Sequence, residues 1–229
     1  MADAAPPRVP LAKPVELIPA GSLRQLRLRA ADCRACPLWR DATQTVFGAG
    51  PARAAVMLIG EQPGDQEDRQ GEPFVGPAGR LLRELLEECG LAADEVYLTN
   101  TVKHFKFRQR GKRRLHQRAN AAEQAACRPW LAAELLRLRP RWVVALGAMA
   151  AQTLFGNAFR LTRERGRWRA LDERTDAIAS WHPSAILRMQ GEPRERALRD
   201  LRRDLRAVAA RVAGGAPVPP REIPDETQT

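Results

Sequence analysis

Cysteine is scarce in this chain, and so are histidine and tyrosine: 229 residues contain four, three and one of them. Four thiols with no secretory signal ahead of them do not read as a disulfide framework. They point to a metal site, a cluster or buried thiols in a reducing cytoplasm. Long apolar runs are missing too. No stretch approaches the ~20 residues that a membrane helix needs. The opening "MADAAPPRVPLAKPVELIPAG" lacks the charged head and apolar run of a secretory signal, so a cytoplasmic protein with no membrane partner is expected. Acid is in deficit, with 27 Asp+Glu against 38 Lys+Arg and a net charge of +11. Such a surplus fits a polyanionic partner, nucleic acid first, although a solvated basic surface also fits it. There is no internal repeat and no second domain.

What is present is a regular alternation. "AAVMLIG" (54–60), "EVYLTN" (95–100), "WVVALG" (142–147) and "DAIASW" (176–181) read as buried strands. Helical patterns separate them over 78–89, 119–138 and 148–155. A last amphipathic helix is expected over 192–212, with Leu198, Leu201, Leu205, Val208 and Val212 on its apolar face. Strand–helix–strand repetition implies an α/β domain with a central parallel sheet covered on both faces, whose sites lie at the carboxyl ends of the strands. That domain spans 22–213, between a proline-rich lead (1–21) and a tail (214–229) expected to be flexible.

Cys33 and Cys36 form a CxxC pair, which can put two thiolates on one metal or cluster; a redox pair is the rival reading. Cys127 precedes Pro129 in "ACRPW", and Cys89 lies on the leucine stripe of "LLRELLEECG", where a thiol reads as core. His104 follows a strand end and is a candidate fourth ligand, since imidazole can replace thiolate on iron. A phosphate or backbone contact is equally open for it.

The segments "GEQPGDQEDRQGEPFVGPAGRLL", "TNTVKHFKF", "GKRRLH", "ACRPWL" and "WHPSAILR" together resemble the uracil-DNA glycosylase superfamily, most closely its iron–sulfur family 4 relatives of the UdgX class. The resemblance covers roughly residues 30–210. It implies the three-layer α/β/α sandwich of the uracil-DNA glycosylase fold, a monomer, and uracil-containing DNA, single- or double-stranded, as partner. It also implies roles for individual residues. Glu61 stands at the sugar side, with Gln62 and Asp65 shaping the pocket. Phe74 stacks on the extruded base and Asn100 reads its Watson–Crick edge. His182 hydrogen-bonds the base, while Pro183, Ser184, Leu187 and Arg188 press into the DNA. Lys112, Arg113 and Arg114 of the basic loop bind DNA. His116, the histidine of "KRRLH" where the UdgX loop reads KRRIH, captures the sugar after the base leaves. Cys33, Cys36, His104 and Cys127 hold a [4Fe–4S] cluster, leaving Cys89 over. Two alternatives stay open: a conventional glycosylase that turns over, and a non-catalytic DNA-binding protein stapled by its metal site.

Between Lys103 and Arg118 there are eight Lys/Arg and no acid. Affinity for DNA is therefore expected to fall steeply with salt, by roughly 0.7–0.9 log units per log unit of salt for each phosphate neutralised. Fluorescence anisotropy across a salt series measures the slope; a flat response would mean that this run does not touch the backbone.

Overall fold

A short polar signal opens the first described helix. The Ser22 hydroxyl accepts from Gln25 N while the Gln25 side chain returns to Ser22 N, a reciprocal cap that satisfies two donors at the helix start. The computed structural model describes residues 19–214. In chain order its elements are α1 (Leu23–Ala31), β1 (Val56–Gly60), α2 (Asp65–Gln70), α3 (Pro77–Glu88), β2 (Val96–Asn100), β3 (Phe107–Arg110), β4 (Arg113–His116), α4 (Ala121–Leu138), β5 (Trp142–Leu146), α5 (Gly147–Phe155), α6 (Leu161–Glu164), β6 (Trp168–Ala170), β7 (Asp176–Ser180), α7 (Pro183–Arg188) and α8 (Gly191–Gly214). The expected lead and tail lie outside the described residues, except for 19–21 and 214. No helix among the described residues is long and apolar enough to cross a membrane.

Five strands form one sheet in the order β2-β1-β5-β7-β6. The first four are parallel, as the apolar runs imply. The fifth, β6, runs antiparallel to β7 at the edge. The central parallel sheet is as expected, and β6 is an edge strand that was not among the strands read from the sequence. β6 is only three residues long and half-buried, too short to show a strand period in the sequence.

The strand period of two sorts side chains onto two cores. Val56, Leu58, Val96, Trp142, Val144, Leu146 and Ile178 face Leu82, Leu85 and Leu86 of α3, Ile186 of α7 and the Leu198, Leu201, Leu205 and Val208 stripe of α8. Met57, Ile59, Tyr97, Val143, Ala145, Ala177 and Ala179 face Leu131, Leu135 and Leu138 of α4 and Ala150, Ala151 and Leu154 of α5. The three-layer α/β/α sandwich follows from that division.

The strand order reverses between β1 and β5, because β2 follows β1 on one side and β5 lies on the other. A crevice opens at the carboxyl ends of strands at such a switch point. The chain reaches it from β1 through Gly60, from β2 through Asn100 and from β7 through His182. The basic run is not a loop, as expected, but a two-stranded antiparallel hairpin of β3 and β4. Gly111, at φ 57, supplies the left-handed backbone of its two-residue turn. The register sets His116 opposite Phe107, at the end of the hairpin nearest the body of the protein.

Candidate active site

The floor of the crevice is a residue without a side chain. A Cβ on Gly60 would collide with Asn100 Oδ1, come within 2.7 Å of Phe74 Cζ and lie 3.3 Å from His182 Nε2. Three residues from three separate segments therefore converge on one point. Asn100 is buried, at 3% exposure, and is paired with Gly60 in the sheet. Phe74 is also buried and stacks its ring against that of His182, with centroids 6.1 Å apart and 24° between planes.

Phe74 holds an uncommon backbone, φ 58, which costs energy in a residue with a Cβ. Its neighbours fix it there. Arg83 donates to its carbonyl at 2.5 Å. Gly79 of α3 packs so closely that a Cβ there would strike the Phe74 carbonyl and stand 2.7 Å from its Cα. The buried Glu67 accepts from Gly76 N at 2.7 Å and from Gly64 N at 3.1 Å, joining the "GEQPG" and "FVGPAG" turns into one wall. Glu67 was not singled out from the sequence, where it is one acid among several in a polar stretch.

His182 caps α7. Its Nδ1 accepts from Ser184 N at 3.1 Å and lies 2.8 Å from Ser184 Oγ. Burial pushes its pKa down to about 4, assisted by Arg188 and His116. A neutral ring that accepts at Nδ1 carries its proton on Nε2, the nitrogen directed at the crevice. The segment before it is tied to α8: Ser180 Oγ donates to Asp204 at 2.5 Å, and Trp181 Nε1 donates to Asp200 at 3.3 Å. Arg165 pairs with both carboxylates.

Glu61 follows Gly60 directly. Burial raises its carboxyl above the ordinary glutamate value, while Arg118 and Arg188 pull it back. Its carbonyl accepts from Thr101 Oγ1 at 2.5 Å and from Val102 N at 3.0 Å, so its backbone is set by the chain leaving β2. Gln62 is buried and donates to Lys106 O at 3.1 Å. Its Oε1 is buried without a partner among the described residues.

His116 remains exposed as a residue, but its ring lies 6.1 Å from that of Phe105. Its pKa is lowered, by burial of the ring first and then by Arg188. Arg188 thus acts on Glu61, His116 and His182 together, and His116 on His182. These four residues share one electrostatic neighbourhood.

Several residues expected to face DNA or base are used otherwise. Arg114 pairs with Asp65, pairs with the fully buried Asp68 at 2.6 Å, and stacks on Phe105 and Phe107 at 5.3 and 5.0 Å. It is an anchor that holds the hairpin to α2, not a phosphate contact. Asp65 spends its carboxylate on Arg114 and Arg69 rather than on the pocket wall. Pro183 is buried in the first turn of α7, and Ser184 serves His182; only Leu187 and Arg188 of that segment are exposed. Among the eight cations of the basic run, Lys103 and Lys106 are paired with Glu134 and Glu123 and Arg114 with its aspartates. Arg108, Arg110, Lys112, Arg113 and Arg118 make no ion pair among the described residues, and Arg118 donates to Gln152 at 3.3 Å.

Beside the hairpin, Cys36 and Cys127 pack in one buried cluster. Lys103 N donates to Cys127 Sγ, and Trp130 Nε1 to Cys33 Sγ, each at 3.2 Å. Burial pushes the Cys127 thiol up to about 12, Lys103 opposes this, and the nearby Cys36 and Cys33 add to it. His104 is buried, with Nε2 at 2.9 Å from Thr45 Oγ1, and burial lowers its pKa. Among the described residues, no three His, Cys, Asp or Glu side chains close around a single ion. Cys89 lies apart at the end of α3, with its thiol 3.7 Å from Arg202 O.

With this geometry in hand, comparison with known proteins is specific. Residues 47–206 match the model of the uracil DNA glycosylase superfamily. The chain belongs to that superfamily. Among its relatives is a type-4 uracil-DNA glycosylase of Thermotoga maritima, 37% identical over 161 residues that cover 70% of this chain and 80% of the relative. Proteins of the same name from Archaeoglobus fulgidus and Sulfurisphaera tokodaii are 35% and 32% identical, each over 72% of this chain and over 83% and 76% of their own. The superfamily match spans the crevice from Gly60 to Arg188, while Cys33 and Cys36 fall outside it.

Gly79→Ala is expected to destabilise the protein by about 1–3 kcal/mol, as overpacking does, and to loosen Phe74. Urea unfolding checks the first effect and near-ultraviolet dichroism the second; a variant as stable as the parent would show that the close approach is not required.

Proposed function

We propose that this chain is a uracil-DNA glycosylase that excises uracil from DNA and then becomes joined to the abasic sugar through His116. The observation that carries the glycosylase reading is the meeting of Asn100, Phe74 and His182 at Gly60. The names of its type-4 relatives support it. An extruded uracil stacks on Phe74. The Asn100 carboxamide accepts from N3–H and donates to O4. Cytosine presents an acceptor and a donor at those two places and leaves the amide unpaired, a strong basis for rejection. Extrusion from the stack costs a few kcal/mol, and less from a single strand.

As the C1′–N1 bond breaks, its electron pair leaves on the base. His182 Nε2–H donates to O2, where the negative charge gathers. The Glu61 carboxylate faces the positive sugar. A neutral His116 then supplies its lone pair to C1′. A C–N bond forms, the imidazole gives up its ring proton to the uracil anion or to water, and no oxidant or further reactant is needed. Arg188 favours this neutral form of His116. The Arg114 anchor to Asp65 and Asp68 supports the reading, because it ties the hairpin carrying His116 to α2, which follows directly on the turn that begins at Glu61. Leu187 and Arg188 meet the DNA, and the five remaining cations of the basic run meet its backbone. The protein acts as a monomer.

Cys33, Cys36, Cys127 and His104 are proposed to hold a [4Fe–4S] cluster, which when bound supplies a rigid cross-link between the N-terminal segment and the hairpin. Two buried thiols, Cys36 and Cys127, with the half-buried Cys33 close enough to act on Cys127, offer the thiolates that such a cluster takes. If His104 Nε2–H donates to Thr45, Nδ1 keeps the lone pair a metal requires.

Incubation with uracil-containing single-stranded DNA is expected to give a complex that survives SDS, and His116→Ser to release uracil without it. Capture needs neutral imidazole, so its rate should be flat between about pH 7 and 8 and fall only below the ordinary imidazole value of about 6.5. A His116→Ser variant that cross-links as well as the parent removes His116 from the reaction. Separately, Cys127→Ser and His104→Ala should each lose bound iron and visible absorbance while Cys89→Ser keeps both; iron loss in Cys89→Ser alone would refute the ligand set.

A further inference from the structure

One fully buried ion pair lies directly behind the residue that reads the base. Lys103 is 1% exposed and Glu134 0%. Lys103 has three ammonium protons and three partners: Glu134, Thr99 Oγ1 at 2.7 Å and the backbone carbonyl of Asn100 at 2.8 Å. Glu134 in turn accepts from Gly48 N, Tyr97 OH and Thr99 Oγ1, each at 3.0 Å. The ring of Phe47 covers the ammonium, 5.5 Å from Nζ to its centroid. Two charges are thus removed from water with every donor satisfied.

A gain in stability is a weak reason for a buried ion pair. Apolar residues of the same volume in place of a buried ion pair are often as stable or more so, because desolvation offsets the attraction. What the pair supplies is a direction. Asn100 is the last residue of β2, and after it the chain leaves the sheet. The plane of the Asn100–Thr101 peptide decides where the Asn100 carboxamide stands over Gly60. Thr101 N donates to Gly60 O at 2.9 Å on one side of that plane, and an ammonium held by Glu134 and Thr99 bonds the Asn100 carbonyl on the other.

We propose that Lys103 is a positioning residue for base recognition: its bond to the Asn100 carbonyl sets the angle at which Asn100 meets the uracil edge, and Glu134 keeps the Lys103 ammonium aimed. This rests on the glycosylase reading of the same site. The effect is exerted on the chemical step and on choice of base. DNA binding by the exposed hairpin cations is untouched.

The test uses the full-length protein and a uracil-containing oligonucleotide, with uracil release followed chromatographically in single turnover. Lys103→Met with Glu134→Gln removes both charges but leaves an acceptor for Gly48 and Tyr97. Its maximal rate should drop by about 100-fold, the scale of an ångström misplacement. The DNA concentration giving half-maximal rate should stay within about twofold, since uniform binding is untouched. Tyr97→Phe removes another bond of the same buried network without touching Lys103, and should lower the melting temperature while keeping the rate. If the double variant is insoluble, Lys103→Met alone is read in the same assay. Equal rates for parent and Lys103 variants overturn the positioning role, as does an equal loss in Tyr97→Phe, because the rate would then follow the stability of the network. Release of no uracil by the parent protein overturns instead the reading of the site.

Discussion

At the end of β1 the sheet stops on a glycine, and its missing side chain lets three other side chains meet there. Asn100, Phe74 and His182 come from segments far apart in sequence and crowd to within contact of the point where a Cβ would be. A methyl group there would close the crevice. The remainder of the fold serves to bring those three segments to that point: parallel pairing aligns Asn100 with Gly60, the β7–α7 junction delivers His182, and the strained backbone of Phe74 is held by Glu67, Arg83 and the bare face of Gly79.

Buried carboxylates do most of that holding. Glu67 joins two glycine turns, Asp68 receives the hairpin through Arg114, Glu134 receives Lys103, and Asp204 receives Ser180 ahead of His182. Each is paired or hydrogen-bonded, as a charge out of water must be. The pattern explains how a protein with a large excess of cations keeps its site in order: several of its basic residues face inward to these acids, and the surplus outside is smaller around the hairpin than a count suggests.

The strands and the long helices were legible because their apolar residues recur with period two or near 3.6 and each face must be buried somewhere. The hairpin was not legible. "FRQRGKRRLH" has almost no apolar face, and what makes it two strands is Arg114, which stacks on Phe105 and Phe107 and pairs with residues 46 and 49 positions away. α2 was hidden for the same reason, being polar at every position. In the site, the motif residues at strand ends could be found by type and order. Their division of labour could not, since a free cation and a neutralised one look alike in sequence; Arg114 and Asp65 were assigned to ligands and prove to be partners. Glu134 left a trace that could have been followed, an acid on the same helical stripe as Leu131, Leu135 and Leu138.

By itself the sequence determined the α/β class, the two-sided burial of the sheet and the set of chemically capable residues, because periodicity and residue type are local properties written along the chain. Only the tertiary structure decided which of those residues face the crevice and which face one another. That choice depends on distances between segments that share no sequence neighbourhood, and on whether water or a carboxylate stands opposite each charge.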